Sequence, residues 1–333
     1  MTDQINTINI APTPRILKML GEIDFKAWQC LCEIVDNSID AFSLNSDGGY
    51  TQETPQIKIK LPRSSQNDLK STDVLTIEDN GHGMTVETLR DSLRAGFSNN
   101  NPVDKMGLFG MGFNISTARL GSSTRVVTST RDSDEILTVT IDFAKLEEAS
   151  SFDIDVERSP KALENNGWHG TKIEITQLRT EHVKPLYQRK RQRDKLGKIY
   201  GRVLREKGIK IKYDGASCEP FVHCTWAKER TGNSSLGPIP AIIEIDHKLD
   251  EKSFCHTCWV WLNVRDSTCP SCGKTDALEV RERRVKGWIG LQRYFDEIHF
   301  GFDLIRNGRV IKELDKSMFS WLSPDEEHEL EYP

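Results

Sequence analysis

The chain has 333 residues, 37% of them hydrophobic, and a formal net charge of −5. This length can bury a sizeable core and suggests two domains, while the charge alone favours no class of partner and leaves that to local patches. No apolar run reaches the length of a membrane span and no signal peptide opens the sequence, so a cytoplasmic protein with no membrane partner is expected.

Residues 26–42 carry the first strong pattern. At helical periodicity Trp28, Leu31, Cys32, Val35, Ile39 and Phe42 form one stripe, with Glu33, Asn37 and Asp40 on the opposite side. A solvated polar face is the ordinary reading of such a helix. This face, however, lacks lysine and arginine, and a dense acidic face suits magnesium, which takes oxygen ligands together with phosphate.

Residues 43–55 read as a loop, and strands follow around 57–61 and 74–78. The second strand breaks into Asp79-Asn80-Gly81-His82-Gly83-Met84. Asp79 at a strand end could accept a hydrogen bond from an amino group in a pocket; an Asn-Gly hairpin turn explains the same residues. After a loop at 98–107, Gly107, Gly110 and Gly112 lead into a helix over 112–120 closed by Gly121. A glycine-rich loop feeding a helix start makes a phosphate cradle. The spacing is neither that of a Rossmann turn nor that of a Walker A loop, and Gly273-Lys274-Thr275 lacks the earlier glycine a Walker A loop requires. Strands around 124–130, 136–142 and 171–176 complete the first half, the last entered through Gly170 and Thr171.

In this order the helix E-x-x-D-N-x-x-D-A, the turn D-x-G-x-G-M, the glycine-rich lid and the late Gly-Thr resemble the Bergerat-fold ATPases, the superfamily of gyrase, ninety-kilodalton heat-shock chaperones, histidine kinases and MutL. The resemblance spans residues 14–176. Within the superfamily, residues 14–42 and "GFDLIRNGRVI" look most like the microrchidia (MORC) group and its bacterial relatives.

The resemblance implies a two-layer α/β sandwich with a mixed, largely antiparallel sheet over residues 1–180. It implies binding of ATP with magnesium, with Glu33 as general base and Asn37 as magnesium ligand. Asp79 would read the adenine amino group, with Gly83 and Met84 lining the ring, Gly81 in the same pocket, and Thr171 supporting Asp79 through water. Lys105 and the lid formed by Gly107, Leu108, Phe109, Gly110, Met111, Gly112 and Phe113 would cover the phosphates. Asp36 and Asp40 are expected to be structural, bonding neighbouring backbone or the lid.

Residues 181–333 are expected to form a transducer-like α/β domain with strands in "GIKIKYDG", "AIIEID", "KGWIGLQR" and "FDLIRNGRVI". Within it, Cys255-x2-Cys258 and Cys269-x2-Cys272 form two knuckles at zinc-ligand spacing, and four thiolates leave no open position, so a structural zinc within 252–275 is expected. His256 is expected outside the ligand shell, and Cys30, Cys32, Cys218 and Cys224 unpaired. Residues 184–212 carry twelve lysines and arginines against two acids, and residues 281–293 five against one. Either run could be a solvated face; a surface tracking DNA phosphates is the functional alternative.

The expected function is therefore an ATP-hydrolysing conformational switch that dimerises with ATP and acts on DNA, in defence or DNA maintenance. A chaperone-like or signalling ATPase without DNA binding is the alternative. In the resembling families a transducer lysine reaches the γ-phosphate. Lys286, Lys312 and Lys316 do not follow the corresponding helix, so the domain is expected to be incomplete at its carboxyl end and turnover slow.

Overall fold

The computed structural model describes residues 12–43, 53–96, 105–107, 110–161, 167–235, 237–294, 296 and 298–317. Two compact units emerge, one of Met1–Asn100, Lys105–Pro220 and Asn307–Arg309, the other of Asn101–Asp104, Phe221–Arg306 and Val310–Pro333.

The first unit begins with α1 (Arg15–Leu20) and the long α2 (Ala27–Ser43), then β1 (Gln56–Lys60) and β2 (Leu75–Asp79). There follow α3 (Val86–Leu93), α4 (Gly112–Leu120), β3 (Gly121–Ser129), β4 (Glu135–Asp142), α5 (Phe143–Ala149), β5 (Val156–Pro160) and β6 (Gly170–Leu178). The unit closes with α6 (Thr180–Val183), a 3-10 turn (Lys184–Tyr187), α7 (Arg189–Ile199), α8 (Gly201–Glu206), β7 (Lys210–Tyr213) and β8 (Ala216–Ser217). The strands make one eight-stranded sheet in the order β5-β4-β3-β6-β2-β1-β7-β8. Every neighbour is antiparallel except the parallel pair β1–β7.

Alternation along the strands decides which face is buried. Ile57, Ile59, Leu75, Ile77, Ile173, Ile175 and Ile211 point into a core that also takes Leu31, Ile34, Val35 and Ile39 of α2. Each such side chain removed from water contributes about 1.5–3 kcal/mol. The intervening residues carry ion pairs: across strands Lys58 lies 3.9 Å from Glu78 and Arg125 2.8 Å from Glu174, and along β6 Lys172 lies 2.9 Å from Glu174.

The first unit runs to Pro220, beyond the division expected near residue 180. Leu186, Leu196, Ile199, Tyr200 and Val203 belong to its core, and β7, expected in the second domain, pairs with β1. The segment "GIKIKYDG" has strand alternation, but nothing local in it says which sheet it joins.

In the second unit, β9 (Thr231–Ser234) and β10 (Gly237–Pro240) form a hairpin. The long β11 (Ile242–Cys255) pairs antiparallel with the short β12 (Trp261–Leu262) and with β13 (Leu278–Gly290), whose register shifts between Leu249 and Lys252. Finally β14 (Phe302–Arg306) pairs with β15 (Arg309–Asp315), a strand whose first residue belongs to the first unit. Among its described residues this unit has no helix. No described helix of the chain is long and apolar enough to cross a membrane.

Candidate functional site

Helix α2 is less simply amphipathic than its sequence suggests. Cys30, Ile34, Asp36, Ser38 and Asp40 are buried along with Leu31, Cys32, Val35 and Ile39 of the expected stripe, while Trp28 and Phe42 are half-buried. Both α4 and α7 pack on this helix besides the sheet, which accounts for its extra burial. The described positions less than fully buried are Trp28, Gln29, Glu33, Ala41 and Phe42, which are half-buried, and Asn37, which is exposed. A carboxylate and an amide one turn apart, Glu33 and Asn37, are thus among the groups left accessible on this helix.

Asp79, at the end of β2, is 5% exposed. Its Oδ2 accepts from the Ser38 hydroxyl at 2.9 Å, and its Oδ1 from the amides of Gly81 at 2.9 Å and Thr171 at 3.3 Å. Burial pushes its carboxyl up to about 6, and the bonds from Gly81, Ser38 and Thr171 pull against that shift. Thr171 thus reaches Asp79 directly through its amide, where a water-mediated contact was expected. Its hydroxyl lies 3.2 Å from that of Thr128, which also accepts the Met84 amide at 2.9 Å.

Gly83 sits at φ +72°, and a Cβ there would come within 2.0 Å of the Ser129 carbonyl oxygen. The turn after β2 therefore needs glycine for both conformation and space. Gly81 is similarly close-packed, with an added Cβ 2.9 Å from Asp79 Oδ1 and 3.0 Å from Ala41 Cβ.

The base of the lid is tied to α2 through Asp40. Its carboxylate accepts from the amides of Met106 at 3.0 Å and Gly107 at 3.3 Å, and its carbonyl accepts from Lys105 Nζ at 3.0 Å. Leu108 and Phe109 lie outside the described residues. Gly110 takes φ +61°, and α4 starts at Gly112 after Met111, whose side chain makes no cap bond. A Cβ on Gly112 would stand 2.1 Å from Glu33 Oε2. Glu33 therefore lies directly against an uncapped helix start, whose free amides and dipole favour an anion. Phe113 is buried behind them.

Asp36 departs from expectation. Among the described residues its carboxylate bonds Tyr200 and Arg309 rather than neighbouring backbone or the lid. It is 1% exposed and accepts from Tyr200 Oη at 2.7 Å and from the guanidinium of Arg309. Burial raises its carboxyl to about 7, opposed by Arg309 and Tyr200. Sequence reasoning missed Ser38, Thr128, Tyr200 and Arg309. Ser38 alone left a local trace, as a polar residue on a buried side of α2.

A second cluster lies in the second unit. The sulfurs of Cys255, Cys258, Cys269 and Cys272 all lie within 4.8 Å of one another, with Cys255 and Cys272 3.7 Å apart. Four sulfurs around a tetrahedral zinc would stand about 3.8 Å apart, so the arrangement fits that ion. In each knuckle the amide after the second cysteine returns to the carbonyl of the first: Trp259 to Cys255 and Gly273 to Cys269, both at 2.8 Å. His256 stays outside the cluster, 2.8 Å from Glu279. Cys30, Cys32, Cys218 and Cys224 are free. Of the lysines considered for the γ-phosphate, Lys312 pairs with Asp315 at 2.8 Å and Lys316 lies 3.8 Å from the centre of the Phe300 ring.

Residues 25–171 match the family described as histidine kinase-, DNA gyrase B-, and HSP90-like ATPase. The chain is also 34% identical over 102 residues to Protein MICRORCHIDIA 5 of Arabidopsis thaliana, a stretch covering 30% of this chain and 13% of that protein. The matched family region contains Glu33 and Asn37 of α2, Asp79 and its donors, and the start of α4. Residues 25–171 therefore match a histidine kinase-, DNA gyrase B-, and HSP90-like ATPase domain, a type of domain that binds ATP.

Proposed function

We propose that the chain is an ATP-driven conformational switch whose nucleotide lies between α2, the turn after β2 and the start of α4. One observation carries this reading: Glu33 and Asn37 stay accessible one turn apart on α2, and Glu33 touches the first residue of an uncapped helix. The adenine amino group donates to Asp79, whose ionised form is kept as an acceptor by three donors. The amides at the start of α4 and of the lid bind the phosphates, with Lys105 beside them. Glu33 orients the attacking water and takes its proton. Asn37 would hold magnesium, which when bound neutralises phosphate charge.

The four cysteines hold a structural zinc that closes the tip of the β11–β13 ribbon. The second unit serves as transducer, and two chains pair through their ATPase units when ATP is bound. Its resemblance to the microrchidia group supports a role on DNA. Charge favours residues 184–212 over 281–293 as the contact. Lys184, Lys190, Arg191 and Lys210 are exposed on the first stretch. The second lies on β13, where the β11–β13 pair balances six acids against six bases, including Arg284 with Asp246 and Lys248 with Glu282.

Calorimetry and a single-turnover assay test the nucleotide reading. Asp79→Asn is expected to abolish MgATP binding, because its amide can turn a donor towards the adenine amino group. Glu33→Ala is expected to bind MgATP and lose turnover; wild-type turnover in that variant would remove Glu33 as the base. Plasmid binding across a salt series tests the DNA reading. No binding at low salt would leave the chaperone-like or signalling alternative.

A further inference from the structure

We propose that Arg309 is a positioning residue for Glu33, a role that rests on Glu33 being the general base. Asn307–Arg309 belong to the first unit although they lie more than eighty residues beyond Pro220 in sequence. Three contacts hold them there. The Asn307 side-chain amide donates to the Lys105 carbonyl at 3.1 Å. Gly308, at φ +86°, leaves only enough room that a Cβ would fall 2.7 Å from Val203 Cγ2. Arg309 then reaches α2, where Nη1 pairs with Asp36 Oδ2 and lies 3.4 Å from Glu33 Oε1, with Nη2 3.5 Å from the same oxygen.

The two Glu33 oxygens are thereby given separate tasks. Oε1 faces Arg309, while Oε2 lies against Gly112 at the start of α4, where the phosphates are proposed to sit. A carboxylate with one oxygen held presents the other in a defined direction, which is what a base needs to meet a water in line with the γ-phosphate. Arg309 is itself anchored, because Asp36 is buried and its other oxygen takes the Tyr200 hydroxyl. The chain of contacts runs Tyr200, Asp36, Arg309, Glu33. A guanidinium suits the third place because its planar fork spans two carboxylates, whereas an ammonium is a single point charge.

The test is single-turnover hydrolysis and MgATP affinity on the full chain. Arg309→Met is expected to slow the chemical step ten- to a hundredfold while affinity changes less than threefold. Arg309→Lys should recover part of the loss. In a Glu33→Gln background Arg309→Met should slow the reaction no further, because the group it positions is gone. Should Arg309→Met fail to fold with Asp36 left unpaired, Tyr200→Phe and Arg309→Lys carry the test, each slowing chemistry severalfold without weakening binding. Loss of affinity in step with rate, or the same loss in the Glu33→Gln background, would overturn the proposal in favour of a merely structural ion pair. Wild-type turnover by Glu33→Gln would instead sink the general-base reading. An inactive Glu33→Gln beside a fully active Arg309→Met would sink the Arg309 inference alone.

Discussion

The ATP site and the cysteine knuckle gather polar side chains in opposite ways. The knuckle draws four thiols from eighteen consecutive residues, with two turns of the same geometry doing the work. The proposed ATP site draws Glu33, Asp79, Gly112 and Thr171 from four separate elements, and Asp36 and Asp79 are buried among donors from still others. A local site can be lost or kept as one piece. A dispersed site depends on the packing of the whole sheet and its helices.

The largest expected effects come from crossing the two sites. Cys258→Ser should remove the metal and disorder residues 252–275, since a tetrahedral thiolate site tolerates no missing ligand of this kind. MgATP affinity should be unchanged. Asp79→Asn should do the reverse, abolishing nucleotide binding with one zinc per chain retained. Elemental analysis and calorimetry on both variants read the crossing. Zinc-free wild-type protein, or weakened ATP binding in Cys258→Ser, would break the separation.

A smaller effect is expected at Gly112. Its Cα hydrogen faces Glu33 Oε2, and a methyl group there would overlap the carboxylate. Gly112→Ala should turn Glu33 away from the helix start and slow turnover by about a hundredfold, the cost of a misplaced reacting group. The fold should survive, because the atom a Cβ would meet most closely is the far end of the Glu33 side chain, which can turn aside. Circular dichroism with single-turnover kinetics separates the two outcomes, and undiminished turnover would mean that Glu33 is not held where the phosphates bind.

These residues also show what the sequence makes legible. The Cys-x-x-Cys pairs are visible because spacing alone decides whether four sulfurs can converge. The strands at β1, β2, β4 and β6 are visible because buried apolar residues alternate with mostly polar or charged ones, so their period is plain. Glu33 and Asn37 stand out because they lie one turn apart on a helix whose other face is an apolar stripe. Arg309 was invisible: it lies 273 residues from Asp36, and nothing near it in "RNGRV" names its partner. Tyr200 was hidden for the same reason, as a tyrosine between two basic helices whose hydroxyl finds a carboxylate 164 residues away. The placement of β7 failed because alternation gives a strand its faces but not its neighbours.

Acidity should separate the sites further. Asp36 and Asp79 both titrate higher when folded, at about 7 and about 6, than the ordinary carboxyl near 3.8. The folded state therefore prefers them protonated. The associated stability is fully present below about pH 4 and is lost as pH rises through 6 to 7. Asp36 feels Arg309 and Tyr200, with Glu33 and Asp40 as like charges; Asp79 feels Ser38, the Gly81 and Thr171 amides, and Glu78. The nucleotide-free ATPase unit should thus melt a few degrees higher near pH 5 than near pH 8, and Asp79→Asn should flatten that slope. MgADP affinity should fall over the same acid range, as a protonated Asp79 loses acceptor capacity. The knuckle runs the other way, since protons compete with metal for thiolates. A melting temperature of the ATPase unit that rises with pH would contradict the assignment.

The smallest effect concerns the two knuckle turns. Gly273 holds φ +72° and Trp259, its counterpart, φ +59°. The left-handed region costs a residue with a Cβ about 1 kcal/mol more than glycine. Nothing lies within 4 Å of a Cβ built on Gly273, so Gly273→Ala should weaken metal retention through conformation alone. At Trp259 two terms oppose. Glycine would relieve the backbone, but the indole packs against Phe254 with ring centres 6.1 Å apart, and its loss removes apolar contact. Comparing Trp259→Ala with Trp259→Gly cancels the indole and leaves the backbone. The glycine variant should hold zinc more firmly by about the amount that Gly273→Ala loses, roughly fivefold in a chelator competition for ~1 kcal/mol. If alanine and glycine at 259 hold the metal equally, the first knuckle does not need the left-handed turn, and the two knuckles are alike in sequence spacing but not in backbone strain.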